Sequence, residues 1–175
     1  MSSILFATWD GGGNVPPAVG IATELAARGH DVRFLGHPAQ GERFAAAGLA
    51  FAPYASGRDF RATAGPSLPQ LLANFGDRAQ GRDVLAALAA RPADLVVVDC
   101  YLLGVMQELR TAGAPYVVLE HSLDGNFRRD VSGPLALLLR LRGVHPRASV
   151  EAAQAVLVPT LGTQGGRRTT ARCPC

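Results

Sequence analysis

Short apolar runs alternate along the chain with longer stretches in which apolar residues recur every three or four positions. Ile4 to Ala7 is the first run, bounded by polar residues and glycine as a buried strand would be. After a triple glycine, Gly11 to Gly13, the residues Val19, Ala22, Leu25 and Ala26 follow helical spacing. That segment stops at Arg28-Gly29, a cation followed by a C-terminal glycine. The same reading predicts further strands at Asp31–Leu35, Leu49–Pro53, Asp94–Asp99, Tyr116–Glu120 and Ala155–Pro159. Helices are predicted over Pro38–Ala47, Leu102–Ala112 and Leu135–Leu141, with a turn or short helix at Ser149–Ala153. Another runs from a Ser67 cap to Ala90, with irregularity around Gly76 and Gly81. Tyr54–Pro66 and His121–Pro134 read as polar loops, the first too polar to bury.

Strands and helices alternating through short connections imply an α/β fold. The expectation is a doubly wound, mostly parallel sheet with helices on both faces. Ligands in such sheets bind beyond the carboxyl ends of the strands. The candidates are therefore Asp10 to Asn14, Gly36-His37, Tyr54 to Arg61, Asp99 to Tyr101, and His121 to Asp124. The glycine turn should aim backbone N–H groups and a helix N-terminus, roughly half a positive charge, at one point. Residues 1–160 are expected to form one Rossmann-like domain. Residues 161–175 (LGTQGGRRTTARCPC) match neither helix nor strand. They read as a disordered tail or as the product of a truncation or frameshift; the second is preferred, because the sixth strand leads nowhere.

Composition narrows the partners. The net charge is +3, and all cations are arginine, since the chain has no lysine. Arg167, Arg168 and Arg172 carry that excess, so the body is neutral and offers no basic stripe for nucleic acid. Neither a secretory leader nor an apolar run long enough for a membrane span is seen, so a cytoplasmic protein is expected. Of the three cysteines, two lie in Cys173-Pro174-Cys175, and Cys100 reads as a buried apolar thiol. The spacings suit neither disulfides nor zinc, so no metal is expected.

Gly11 to Pro16 resembles a dinucleotide-binding turn only in part. Its third glycine position holds Pro16, and the end of the second strand, Phe34-Leu35-Gly36-His37, lacks the acid that would hold a ribose. No Gly-Lys-Ser/Thr phosphate loop exists. The phrase Gly13-Asn14-Val15-Pro16-Pro17, with Gly29-His30-Asp31-Val32 after the helix, is more telling. Ala45 to Phe51, Asp94 to Asp99, Ala114 to Val118 and Leu157-Val158-Pro159 follow in order. Together these resemble the N-terminal half of the GT-B glycosyltransferases, the nucleotide-sugar-dependent enzymes of plant and antibiotic glycosylation, over residues 1 to 160.

The resemblance implies an acceptor-binding domain whose partner domain holds the nucleotide sugar as co-substrate, with no other cofactor. In the family a base takes a proton from the acceptor hydroxyl, which attacks the anomeric carbon with inversion. The base is often a loop histidine held by an aspartate after the fourth strand. By position these are Asn14 and Asp99. Asn14 departs from the pattern, because an amide cannot accept the proton, and loss of a general base costs roughly 10²–10⁴-fold in rate. Asp10 and His121 are the nearest substitutes, while Gly12, Gly13 and Trp9 are expected to line the acceptor site. Plainer roles compete: Asn14 as a helix cap, Asp99 as a strand-end acid on loop amides, His121 as a packing residue, Trp9 as cover for the sheet edge. His30 and His37 read as surface groups. The donor half is absent from these residues. A nucleotide sugar is thus expected to bind only with a donor domain, and the chain alone is expected to be inactive. The alternative is a non-catalytic small-molecule binding domain.

Overall fold

The structure is a computed structural model, described over residues 1–121 and 124–157. Its centre is a six-stranded sheet of β1 (Ser3–Ala7), β2 (Asp31–Gly36), β3 (Ala50–Pro53), β4 (Leu95–Asp99), β5 (Val117–Leu119) and β6 (Val156–Leu157). The order is β3-β2-β1-β4-β5-β6 and every pairing is parallel. The order reverses between β1 and β4, paired from Ile4↔Leu95 to Ala7↔Val98. That reversal opens a crevice at the carboxyl ends, where doubly wound sheets bind ligands.

Alternation along β1 shows how two cores form. Ile4 and Phe6 face one side, with Phe34, Val97 and Leu119. Leu5 and Ala7 face the other, with Leu35, Val96 and Val98. The first side is covered by α1 (Val15–Ala27) and α2 (Gly41–Ala46), through Val15, Ala18, Ala22 and Phe44. Phe6, Phe34, Phe44 and Phe51 stack there in series, with ring centroids 4.8, 4.2 and 5.2 Å apart. The second side is covered by α3 (Leu68–Phe75), α4 (Arg78–Ala90), α5 (Leu103–Ala112), α6 (Asp124–Ser132), α7 (Pro134–Arg140) and α8 (Pro146–Glu151).

Four expectations change. The helix predicted from Ser67 to Ala90 is two, separated at Gly76-Asp77, and the Asp77 carboxylate caps the second by accepting from Ala79 N at 2.9 Å. Gly81 is no irregularity: it lies inside α4, where a Cβ would meet Glu108 Cβ at 2.7 Å. The loop predicted over His121–Pro134 holds a helix, α6, anchored by buried Phe127 and Val131. The Pro38–Ala47 helix opens with a 3-10 turn over Pro38–Gln40 before α2. Val158, Pro159 and the segment 161–175 lie outside the described residues, and with them the expected domain boundary.

Candidate active site

β1 ends at Ala7, and the chain turns through Trp9 to Asn14 into α1. Pro16 fits the first turn of that helix because no N–H is needed there. The glycines fold the loop back on itself. Gly11 N donates to Trp9 O at 2.9 Å and Gly13 N to Gly11 O at 3.0 Å. Gly12 sits at φ 79, a left-handed conformation that glycine adopts without strain. The N–H groups of Gly11 and Gly13 are thus engaged within the turn rather than aimed at a ligand.

Asn14 does not cap α1 with its side chain. Its Nδ2 donates to Asp99 Oδ2 at 2.7 Å and to the Trp9 carbonyl at 2.9 Å. Both partners only accept, which fixes the orientation of the amide and leaves Oδ1 buried without a partner. The bond crosses the reversal point, joining the loop after β1 to the last residue of β4.

Asp99, 4% exposed, is the hub. Its Oδ1 accepts from Trp9 Nε1 at 2.8 Å and from Tyr101 N at 3.1 Å. His121 Nε2 lies 3.0 Å from the same oxygen and 3.5 Å from Cys100 Sγ. His121 follows β5 and its side chain is 13% exposed. Burial, the largest single influence, pulls its pKa down. The hydrogen bond and charge of Asp99, with its own carbonyl and Glu120, outweigh that and leave it raised. Asp99, Cys100 and His121 offer ligand-type atoms within 4.8 Å of one another. Burial, then the Asp99 charge, pushes the thiol far up, against the thiolate that a metal would need, and the carboxylate already has four donors. No metal is assigned to this cluster.

The remaining candidates fall nearby. Trp9 is buried and packs edge-on against Phe75 and Tyr101, at 5.2 and 6.3 Å, and tilted against Phe60 at 5.5 Å. Tyr101 in turn stacks on Phe75 at 5.0 Å and lies 5.8 Å from His121. Asp10 is half-buried, and its backbone binds His37 Nδ1 and Ala62 N, so it belongs to the His37 side of the site rather than the Asp99 cluster. Gly12 and Gly13 border open space.

His37 is a correction: it is fully buried, not a surface group. Its Nδ1 accepts from Asp10 N at 3.1 Å, and Gln80 lies 3.3 Å from Nε2. Gln80 in turn donates to Asn74 Oδ1 at 2.9 Å. Burial lowers the His37 pKa against the raising influence of Asp59 and Asp10. The loop read as too polar to bury in fact buries Tyr54 and Phe60 and is held by side chains: Asp83 accepts from Ser56 N and Gly57 N, Asp77 from Arg58 N. Beside it opens a groove of about 610 Å³, lined by Arg58, Phe60, Arg61, Gln70 and Asn74 among others. Sequence reasoning missed Phe75 and the Asn74–Gln80 pair; the only trace of them was the polar interruption of the long predicted helix.

No curated protein matches the chain by sequence. Solved glycosyltransferases match it in fold. VinC, in complex with dTDP, superposes with a TM-score of 0.64 at 20% identity, over 89% of this chain and 48% of that one. The calicheamicin glycosyltransferase CalG4 gives 0.61 at 24%, over 90% and 47%. The spinosyn forosaminyltransferase SpnP gives 0.63 at 21%, over 97% and 49%. The chain spans about half the length of these structures, and its sheet corresponds to the N-terminal half of the GT-B fold. Among the described residues no helix is long and apolar enough to cross a membrane. The family described as glycosyl transferase 4-like domain matches residues 12–165. That match covers most of the chain, which therefore belongs to this glycosyltransferase family.

Proposed function

We propose that this chain is the acceptor-binding half of an inverting glycosyltransferase that uses a nucleotide sugar. The hydrogen bond of Asn14 to Asp99 carries the reading, because it joins, at the carboxyl edge of the sheet, the two residues that the resemblance assigns to the site. The fold matches to enzymes solved with dTDP, or named for spinosyn and calicheamicin, support a small-molecule acceptor. Phe60, which packs on Trp9, lines the groove together with Arg58 and Arg61, and that mixture suits an apolar ring system with polar margins. The nucleotide sugar is bound by a donor domain that these residues do not include, and the reaction needs no other cofactor. The proposed setting is the cytoplasm.

Joining the chain to the donor half of a structural relative tests this. Transfer from UDP- or dTDP-sugars to hydroxyl-bearing small molecules is expected from the joined protein and not from the chain alone. A joined protein that folds yet transfers nothing would count against the proposal. The neutral amide at Asn14 favours one other reading, a binding domain without catalysis. Tight acceptor binding, with no transfer even after Asn14→His in the joined form, is the result that reading requires.

A further inference from the structure

Asn14 leaves the proton of the acceptor hydroxyl without a destination, and the structure supplies one two residues beyond the neighbouring strand, β5. Resting on the function proposed above, we infer that His121 is the catalytic base and that it works through Nδ1. Asp99 fixes the tautomer. Its Oδ1, 3.0 Å from Nε2, can only accept, so Nε2 carries the hydrogen and the lone pair of the neutral ring lies on Nδ1. Asp99 is itself held from three other directions, by Trp9 Nε1, Asn14 Nδ2 and Tyr101 N. The imidazole therefore has a rigid carboxylate behind it, the arrangement that orients a histidine base and stabilises its charged form. Asn14 becomes a positioning residue: both its amide protons hold Asp99 and the Trp9 carbonyl in place.

In the step, the acceptor O–H proton passes to Nδ1. The hydroxyl oxygen forms the bond to the anomeric carbon of the nucleotide sugar. The bond from that carbon to the diphosphate oxygen breaks, and its electron pair leaves on the nucleoside diphosphate. The groups facing the ring are its own backbone carbonyl, Asp99 and Cys100 at the end of β4, Glu120 just before it beyond β5, and Tyr101, whose hydroxyl donates to Asp130 of α6 at 3.0 Å. The carboxylates favour the imidazolium, so the base is uncovered only above the ordinary histidine range.

Two measurements decide the matter. In the chain alone, ¹⁵N spectra of the histidines are expected to show His121 as the Nε2–H tautomer, titrating above a free imidazole. Nδ1–H in the neutral ring would overturn the inference. In the joined enzyme, His121→Gln is expected to lower kcat by about 10²–10⁴-fold with acceptor KM within about threefold, and to remove the ascending limb of the pH profile. A His121→Gln enzyme that keeps its rate, or its ascending limb, overturns the base and leaves the proposed function standing. A wild-type joined enzyme with no transfer overturns both.

Discussion

At the scale of single residues, Asp99 concentrates the local energetics. One buried carboxylate receives an indole, an amide, a backbone N–H and an imidazole, drawn from the β1 loop, the β4 turn and the end of β5. Charge-assisted hydrogen bonds of this kind contribute about 1.5–3 kcal/mol each when buried, and donors stripped of their acceptor stay desolvated. Asp99→Ala is therefore expected to lose about 3 kcal/mol in urea unfolding. Asp99→Asn, which keeps one accepting oxygen, should lose less, and Trp9 fluorescence should change in both. An unchanged midpoint in Asp99→Ala would show that the donors find water instead. The positions of Asn14 and Asp99 were legible because strand ends in a parallel sheet share one edge. The Trp9 indole on the same carboxylate was not, since the direction of a ring depends on Phe60, Phe75 and Tyr101, which lie far away in sequence.

Among the elements, the contact of α4 with α5 depends on glycines that the sequence pattern misreads. A Cβ on Gly81 would stand 3.0 Å from Val105 Cα and 2.7 Å from Glu108 Cβ, and one on Gly104 would stand 2.6 Å from the Asp77 backbone. Glycine costs a helix interior about 1 kcal/mol relative to alanine, so each is kept for close approach. In α1, Gly20 has nothing within 4 Å of its Cβ position. Opposite signs are expected: Gly20→Ala raises stability by about 0.5–1 kcal/mol, while Gly104→Ala loses about 1–3 kcal/mol by overpacking. Gly81→Ala should also lose stability but less than Gly104→Ala, because at Gly81 only Glu108 Cγ can turn away, while at Gly104 all three nearest atoms are Asp77 backbone. Thermal melts of the three variants check the order. The α6 misreading has a related cause. Asp124–Ser132 offers only Phe127 and Val131 as apolar anchors, one helical turn apart, and periodicity over so few residues looks like a loop until the core beneath them is known. Apolar, valine-rich β4 carried its own signal.

Across the whole molecule, two histidines at the carboxyl edge of the sheet titrate in opposite senses, and stability should record both. His121 is raised, so its pairing with Asp99 stabilises the fold fully below the ordinary value near 6.5 and is lost as pH rises through the folded value. His37 is lowered, so its contribution is present above the ordinary value and is lost as pH falls toward the folded one. The wild-type chain should thus show a broad stability maximum near neutral pH, declining on both sides. His121→Gln should flatten the alkaline decline and leave the acid side alone, because His37 is held by Asp10, Gln80 and Phe60 rather than by Asp99. Urea midpoints between pH 5 and 9 measure this. An alkaline limb that survives His121→Gln would mean that the ion pair adds nothing to folding. The imidazole would then be held in place by its ring contacts with Tyr101 rather than by the charge of Asp99.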